Sequence, residues 1–383
     1  MINTGVKDIY YNGLNLERFS FMLDNNSQCY KFYWLEALVN LLVLEGKNEI
    51  TYFEAAAEMI TEAWYTVSEY HLHMGSRSAS RGDNGAIERA VNALQDLTGL
   101  KSNADSRDVR KAVFDHAAEL KDIMRQMTDD VPYRLLSPFL NELKGNDKLW
   151  HSDRKLIAYI SLVDSKNSLP YSIRYETGLQ KTVVWNRYWA DMIKDNYLLI
   201  QEWIRSKKIR YLQDRNPGVP GIIYKLDIET SRKLNHVHKL WDAIMEREEV
   251  HDIYTGSAVN GTRYDIDHFI PWSYVASDEL WNLTPSQRTS NSQKSNNLPD
   301  WETYFSGFLS IQHQLKRNIQ AEEQIYDLFE KCRNDNLNTL WAGNLYQIAA
   351  DTEFDKTIEE NMKPIWQAAK LQGYATWLYT SNK

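Results

Sequence analysis

Cysteine is almost missing from this 383-residue chain: Cys29 and Cys332 are its two cysteines, and neither belongs to a Cys-x-x-Cys pair. That excludes a zinc site built from cysteines and argues against a disulfide framework, so a reducing cytoplasm is expected. Long apolar runs are missing too. Leu38–Leu44 falls far short of the roughly 20 residues that cross a bilayer, so no membrane partner is expected. The stretch from Met1 to Asp8 carries no apolar core, so no signal peptide is expected. Nor is there an excess of positive charge. A net charge of −8 argues against a protein that coats nucleic acid through bulk electrostatics, but leaves room for a local site.

What is present is an ordinary globular composition. With 43% apolar residues, the chain can bury a sizeable core in two or three domains. The first two hundred residues read mostly as helices. Phe32–Leu44 suits a buried helix. Thr51 is a candidate cap for the next, where Met59, Ile60, Ala63, Trp64 and Val67 recur at helical spacing. Further helices are expected over Ile87–Leu97, Arg107–Met127 and Val183–Arg210, with a short strand within Leu169–Tyr175. Asn216-Pro217-Gly218-Val219-Pro220-Gly221 is the strongest break and marks a domain boundary. A helix over Arg232–Glu246 follows. Asn260-Gly261 is then a hairpin signal, and Thr284-Pro285 reads as a helix start. The fold class expected is mainly α with a small α+β module: a helical domain over 1–216, a module over 222–305 and a helical segment over 306–383.

The chemistry concentrates between Asp265 and Pro299. Phosphodiester hydrolysis needs a group that activates water and a cation that stabilises charge on the phosphoryl oxygens. Asp267 and His268 supply a carboxylate and an imidazole side by side. Strand neighbours point to opposite faces, but a twist at the strand's end can bring both to one site. Asn291 offers a second ligand oxygen, and Lys294, one helical turn on, a phosphate contact. Between Arg205 and Lys239 there are nine Lys or Arg against three acids, a candidate track for phosphates or simply a solvated face.

The pattern is Asp267-His268-Phe269-Ile270-Pro271, then Asn282-Leu283 fourteen residues after His268, Asn291 nine further and Lys294 three further. It resembles the HNH, or ββα-metal, endonuclease family at every position. The variant that ends in asparagine is that of the HNH domain of type II CRISPR nucleases, and Lys294-Ser295-Asn296-Asn297-Leu298-Pro299 echoes that domain's closing residues. The wider chain is similar to stand-alone bacterial HNH proteins with a helical N-terminal region, through Tyr30–Trp34 and Asp267–Val275. The resemblance implies that His268 is the general base, that Asp267 and Asn291 bind one Mg²⁺ or Mn²⁺, and that Asn282 holds the loop. Asp265 is then a supporting residue. It also implies cleavage of DNA, in bacterial restriction or antiphage defence, with a protein partner or a homodimer formed through the helical regions. The alternative is a non-catalytic nucleic-acid-binding or scaffold subunit. Many family members brace the module with two Cys-x-x-Cys pairs around zinc. Here Gln287 and Ser290 stand near the helix, and Tyr254-Thr255-Gly256 stands where the first pair would be. Burial of Trp272, Trp281 and Trp301 is expected to supply the missing core.

Overall fold

The computed structural model describes residues 13–24, 28–75, 85–140, 152–167, 169–226, 234–259, 263–336 and 341–380. It is mainly helical with small sheets. The chain divides into two compact units, Met1–Pro217 and Gly218–Lys383; residues 306–383 lie within the second. Among the described residues no helix is long and apolar enough to cross a membrane.

In the first unit the helix Tyr30–Leu44 is buried on every side, with each residue from Phe32 to Leu42 inside. Its sequence therefore shows no polar stripe, and it packs against Tyr52–Ser68, Val131–Leu135, Arg187–Asp195 and Tyr197–Arg215. Thr51 closes a capping box: its hydroxyl accepts from Glu54 N at 3.2 Å, and Glu54 accepts from Thr51 N at 2.8 Å. The periodic stripe from Met59 to Val67 is core. Three antiparallel strands stand beside these helices: β1 (Glu49–Thr51), β2 (Tyr171–Arg174) and β3 (Thr182–Trp185), with β3 in the centre.

Two long helices expected from the sequence are broken. Arg107–Met127 divides at His116 into Ser106–Asp115 and Ala117–Thr128. The segment Val183–Arg210 opens as β3, because Thr182, Val183 and Val184 are β-branched and pair with both neighbouring strands. It then restarts twice as helix, at Arg187 and at Tyr197. Asn186 caps the first restart by accepting from Tyr188 N at 3.0 Å.

In the second unit, β4 (Tyr264–His268) pairs antiparallel with β5 (Leu283–Gln287), and the helix Arg288–Lys294 follows directly. Thr284-Pro285 is thus strand, not helix start. Pro285 lies opposite Ile266, and in a two-stranded sheet it can face an edge where no N–H is needed. The helix begins three residues later, after an extended Gln287. Asn260-Gly261 lies outside the described residues, and the segment Phe269–Asn282 joins the paired strands. Phe269 anchors that segment against Trp301, Phe305 and Phe308 of the helix Trp301–Ala321, with its ring 4.6 Å from that of Phe308. Trp272, Trp281 and Trp301 are all buried. A short parallel pair, β6 (Leu298–Pro299) with β7 (Thr376–Trp377), ties the chain's last strand to the end of the module.

Candidate active site

β4 carries the site. Alternation puts Asp265 and Asp267 on one face, toward the helix Arg288–Lys294, which packs on β4 and β5. Asp267 is 5% exposed and Lys294 1%. Lys294 Nζ donates to Asp267 Oδ1 at 2.9 Å and to the carbonyl of His268 at 2.8 Å. Its ammonium therefore points inward, as a buried counter-charge. The other oxygen of Asp267 accepts from the Tyr254 hydroxyl at 2.6 Å. Burial, reinforced by Asp267, holds the Tyr254 phenol well above its ordinary range, so it stays a donor. Each carboxylate oxygen has a second lone pair, so Asp267 can still accept further partners.

The imidazole of His268 turns to a different partner. Its Nε2 lies 2.9 Å from Asp278 Oδ1, and both side chains are buried. Asn282, fully buried, clamps the strand exit. Its Oδ1 accepts from Ile270 N and its Nδ2 donates to Ile270 O, both at 2.8 Å, while its own carbonyl accepts from Phe269 N. Asn291, half-buried, donates its amide N–H to Asp265 Oδ2 at 3.1 Å. The hydrogen bonds thus join Asp267, Lys294 and Tyr254 in one group, His268 and Asp278 in a second, and Asn291 and Asp265 in a third.

A buried carboxylate ties the start of the module to its helix. Asp252 is fully buried. Its Oδ1 accepts from Tyr254 N at 2.7 Å; its Oδ2 accepts from Gln287 N at 2.8 Å and from the Ser286 and Ser290 hydroxyls. This single side chain therefore links the loop after Val250 to the start of the module helix. Hydrogen bonds to one carboxylate thus brace the module without a cysteine.

These strands, the helix after them and the polar side chains between them make a ββα unit. Residues 252–300 match the family model for HNH endonucleases. No curated protein and no solved structure matches the chain. The HNH segment supports a nuclease acting on nucleic acid, at the level of this domain, and HNH nucleases generally depend on a divalent metal. Asp267 keeps acceptor capacity, and Asn291, whose nitrogen is engaged by Asp265, has Oδ1 as its remaining terminal donor atom. Both are hard oxygen donors of the kind that suits such an ion.

Sequence reasoning passed over Asp278 and Asp252, and gave Tyr254 no hydrogen-bonding role. Asp278 lies in a loop where spacing says nothing about direction. Asp252 had a faint signal: Ser286 and Ser290 lie four residues apart, and hydroxyls that are buried need a partner. Three lysines of the basic stretch Arg205–Lys239 are engaged within the protein. Lys207 pairs with Asp24 and Lys208 with Glu36, both at 2.5 Å, and the buried Lys225 donates to the carbonyls of Ser273 and Tyr274. Arg232 and Lys233 lie outside the described residues.

Proposed function

We propose that the chain is a divalent-metal-dependent endonuclease that hydrolyses phosphodiester bonds of DNA, with His268 as general base. The observation that carries this reading is the buried His268–Asp278 pair at 2.9 Å, held at the end of the strand that also bears Asp267. An ionised Asp278 favours the tautomer with its proton on Nε2, which puts the ring's lone pair on Nδ1. A water at Nδ1 gives up a proton there as its oxygen attacks phosphorus. The bond from phosphorus to O3′ breaks and O3′ takes up a proton from solvent water, leaving 3′-hydroxyl and 5′-phosphate ends, while the proton on Nδ1 is later lost to solvent. When bound, Mg²⁺ or Mn²⁺ stabilises the negative charge that gathers on the phosphoryl and leaving oxygens. Asp267 and Asn291 would hold it.

Lys294 serves by its position rather than by reaching a phosphate. It neutralises Asp267 and, through the His268 carbonyl, keeps the strand end against the helix. Asn282 positions the same turn by clamping Ile270. DNA as the substrate, and a place in bacterial restriction or antiphage defence, rest on the family resemblance. A protein partner or a homodimer through the helical regions rests on the resemblance as well.

The test is plasmid cleavage by the purified full chain with Mg²⁺ or Mn²⁺. Cleavage abolished by EDTA, and lowered about 10²- to 10⁴-fold by His268→Ala, is the expected result. Activity that survives His268→Ala overturns the assignment of the base. A chain that binds DNA but cuts under no metal is the scaffold subunit instead.

A further inference from the structure

An asparagine can serve a cation through Oδ1 alone, because Nδ2 carries hydrogens and turns positive charge away. Rotation of the terminal amide exchanges the two atoms, so an unrestrained Asn291 would offer either. Here Nδ2 is engaged: it donates to Asp265 Oδ2 at 3.1 Å. Asp265 is itself steadied by Arg288, whose Nε lies 3.5 Å from Oδ1 in the first turn of the same helix. Asp265 lies two residues before Asp267 on β4, on the same face, so it reaches Asn291 while Asp267 reaches Lys294 one turn further on.

We propose that Asp265 is a positioning residue that accepts the amide N–H of Asn291 and thereby fixes Oδ1 as the atom Asn291 offers to a divalent cation. The inference rests on the metal-dependent reading above. Asp265 need not touch the ion: its role is to make one of two near-equivalent amide orientations the occupied one. A ligand whose donor atom is set in advance binds without first losing the free energy of choosing it.

Removing Asp265 would also remove a negative charge, so the test must separate orientation from charge. In Asn291→Asp both terminal atoms are oxygens and no orientation remains to be fixed. Binding of Mn²⁺ to the full chain, followed by electron paramagnetic resonance of the free ion, supplies a readout independent of cleavage. Asp265→Ala is expected to weaken Mn²⁺ binding about tenfold when residue 291 is Asn, and to leave it essentially unchanged in the Asn291→Asp chain. Asp265→Asn, which can accept through its own carbonyl but can also flip, should fall between. Asp265 is half-exposed, so these variants should keep the unfolding midpoint of the parent. Equal losses in both backgrounds would overturn the proposal, since that is what a direct ligand or a bare charge would give. No loss in either background overturns it as well. If the unmutated chain takes up no Mn²⁺, it is the metal-dependent reading itself that fails.

Discussion

Each unit of the molecule buries a lysine against a carboxylate, and the two pairs behave differently. In the first, Lys208 meets Glu36 at 2.5 Å between the helices Tyr30–Leu44 and Tyr197–Arg215. In the second, Lys294 meets Asp267 at 2.9 Å between a strand end and a short helix. The chemistry of the pairing is the same, and so is its cost, since both ions leave water. What differs is the company. Around Lys208 there are more acids and amides: burial and the nearby Glu36 push Glu62 up to about 8, and Asn40 donates to Glu62 at 2.8 Å. Around Lys294 the strand's alternation brings the His268 carbonyl onto the lysine while the His268 ring goes to Asp278. A buried charge pair is thus no mark of a site by itself. On the reading proposed above, the strand end beside Lys294 is what adds chemistry, because there consecutive side chains separate a counter-charged carboxylate from the imidazole of His268.

The sharpest way to break this comparison is to make both pairs neutral. Lys208→Met alone should destabilise the chain by about 3–5 kcal/mol, because it strands Glu36, and Glu36→Gln/Lys208→Met should recover most of that. Asp267→Asn/Lys294→Met should recover stability in the same way, yet cleavage should stay down by at least about a hundredfold. Chemical denaturation and plasmid cleavage read the two outcomes. If the double change in the second unit restores cutting, the two pairs are equivalent and the assignment of Asp267 is wrong.

Asp252 extends the comparison to a carboxylate that has no lysine. Asp252→Ala leaves the buried Tyr254 N and the half-buried Gln287 N without their side-chain acceptor and takes one partner from the Ser286 and Ser290 hydroxyls. A loss of about 3 kcal/mol is expected in denaturant unfolding. Hydrogen exchange should quicken in the helix Arg288–Lys294 while the first unit is unaffected. A uniform change in both units would show that the brace is not local.

A third lysine, Lys225, sharpens the pattern further, for it is buried on the carbonyls of Ser273 and Tyr274. Burial pushes its ammonium down to about 7, against ~10.4 for lysine in the unfolded chain. Between those values the unfolded chain binds more protons, so the stability of the parent should rise with pH relative to Lys225→Met. The slope is at most about 1.4 kcal/mol per pH unit, and the difference levels off below about pH 7. A pH-independent difference would show that Lys225 keeps an ordinary pKa.

The smallest effect expected is at a helix cap in the first unit. Thr51→Ala removes the side-chain acceptor for Glu54 N and should lower stability by about 1 kcal/mol with cleavage intact. A loss of cleavage at constant stability would tie the first unit to the site.

Much of this was readable in the order of residues. A nearly unbroken apolar run placed a buried helix over Phe32–Leu44, apolar periodicity placed the core face of Tyr52–Ser68, and Thr51 announced its own cap, because such signals act within a turn or two of chain. The spacing from Asp267 through Asn282 and Asn291 to Lys294 pointed to a ββα nuclease segment, because each residue lies at a fixed place on a strand, loop or helix. Local signals misled where pairing over a distance overrode them. Thr284-Pro285 has the look of a helix start, but opposite Ile266 and Asp267 it is strand, and Val183 lies in a strand between two others. Tertiary structure alone decided where the polar atoms point. It turned Lys294 inward onto Asp267, gave His268 to Asp278, Asn291 to Asp265, and the loop and helix start to Asp252. The reason is physical: a sequence states which donors and acceptors exist, but a hydrogen bond acts over about 3 Å, and only the packed chain sets which of them come that close.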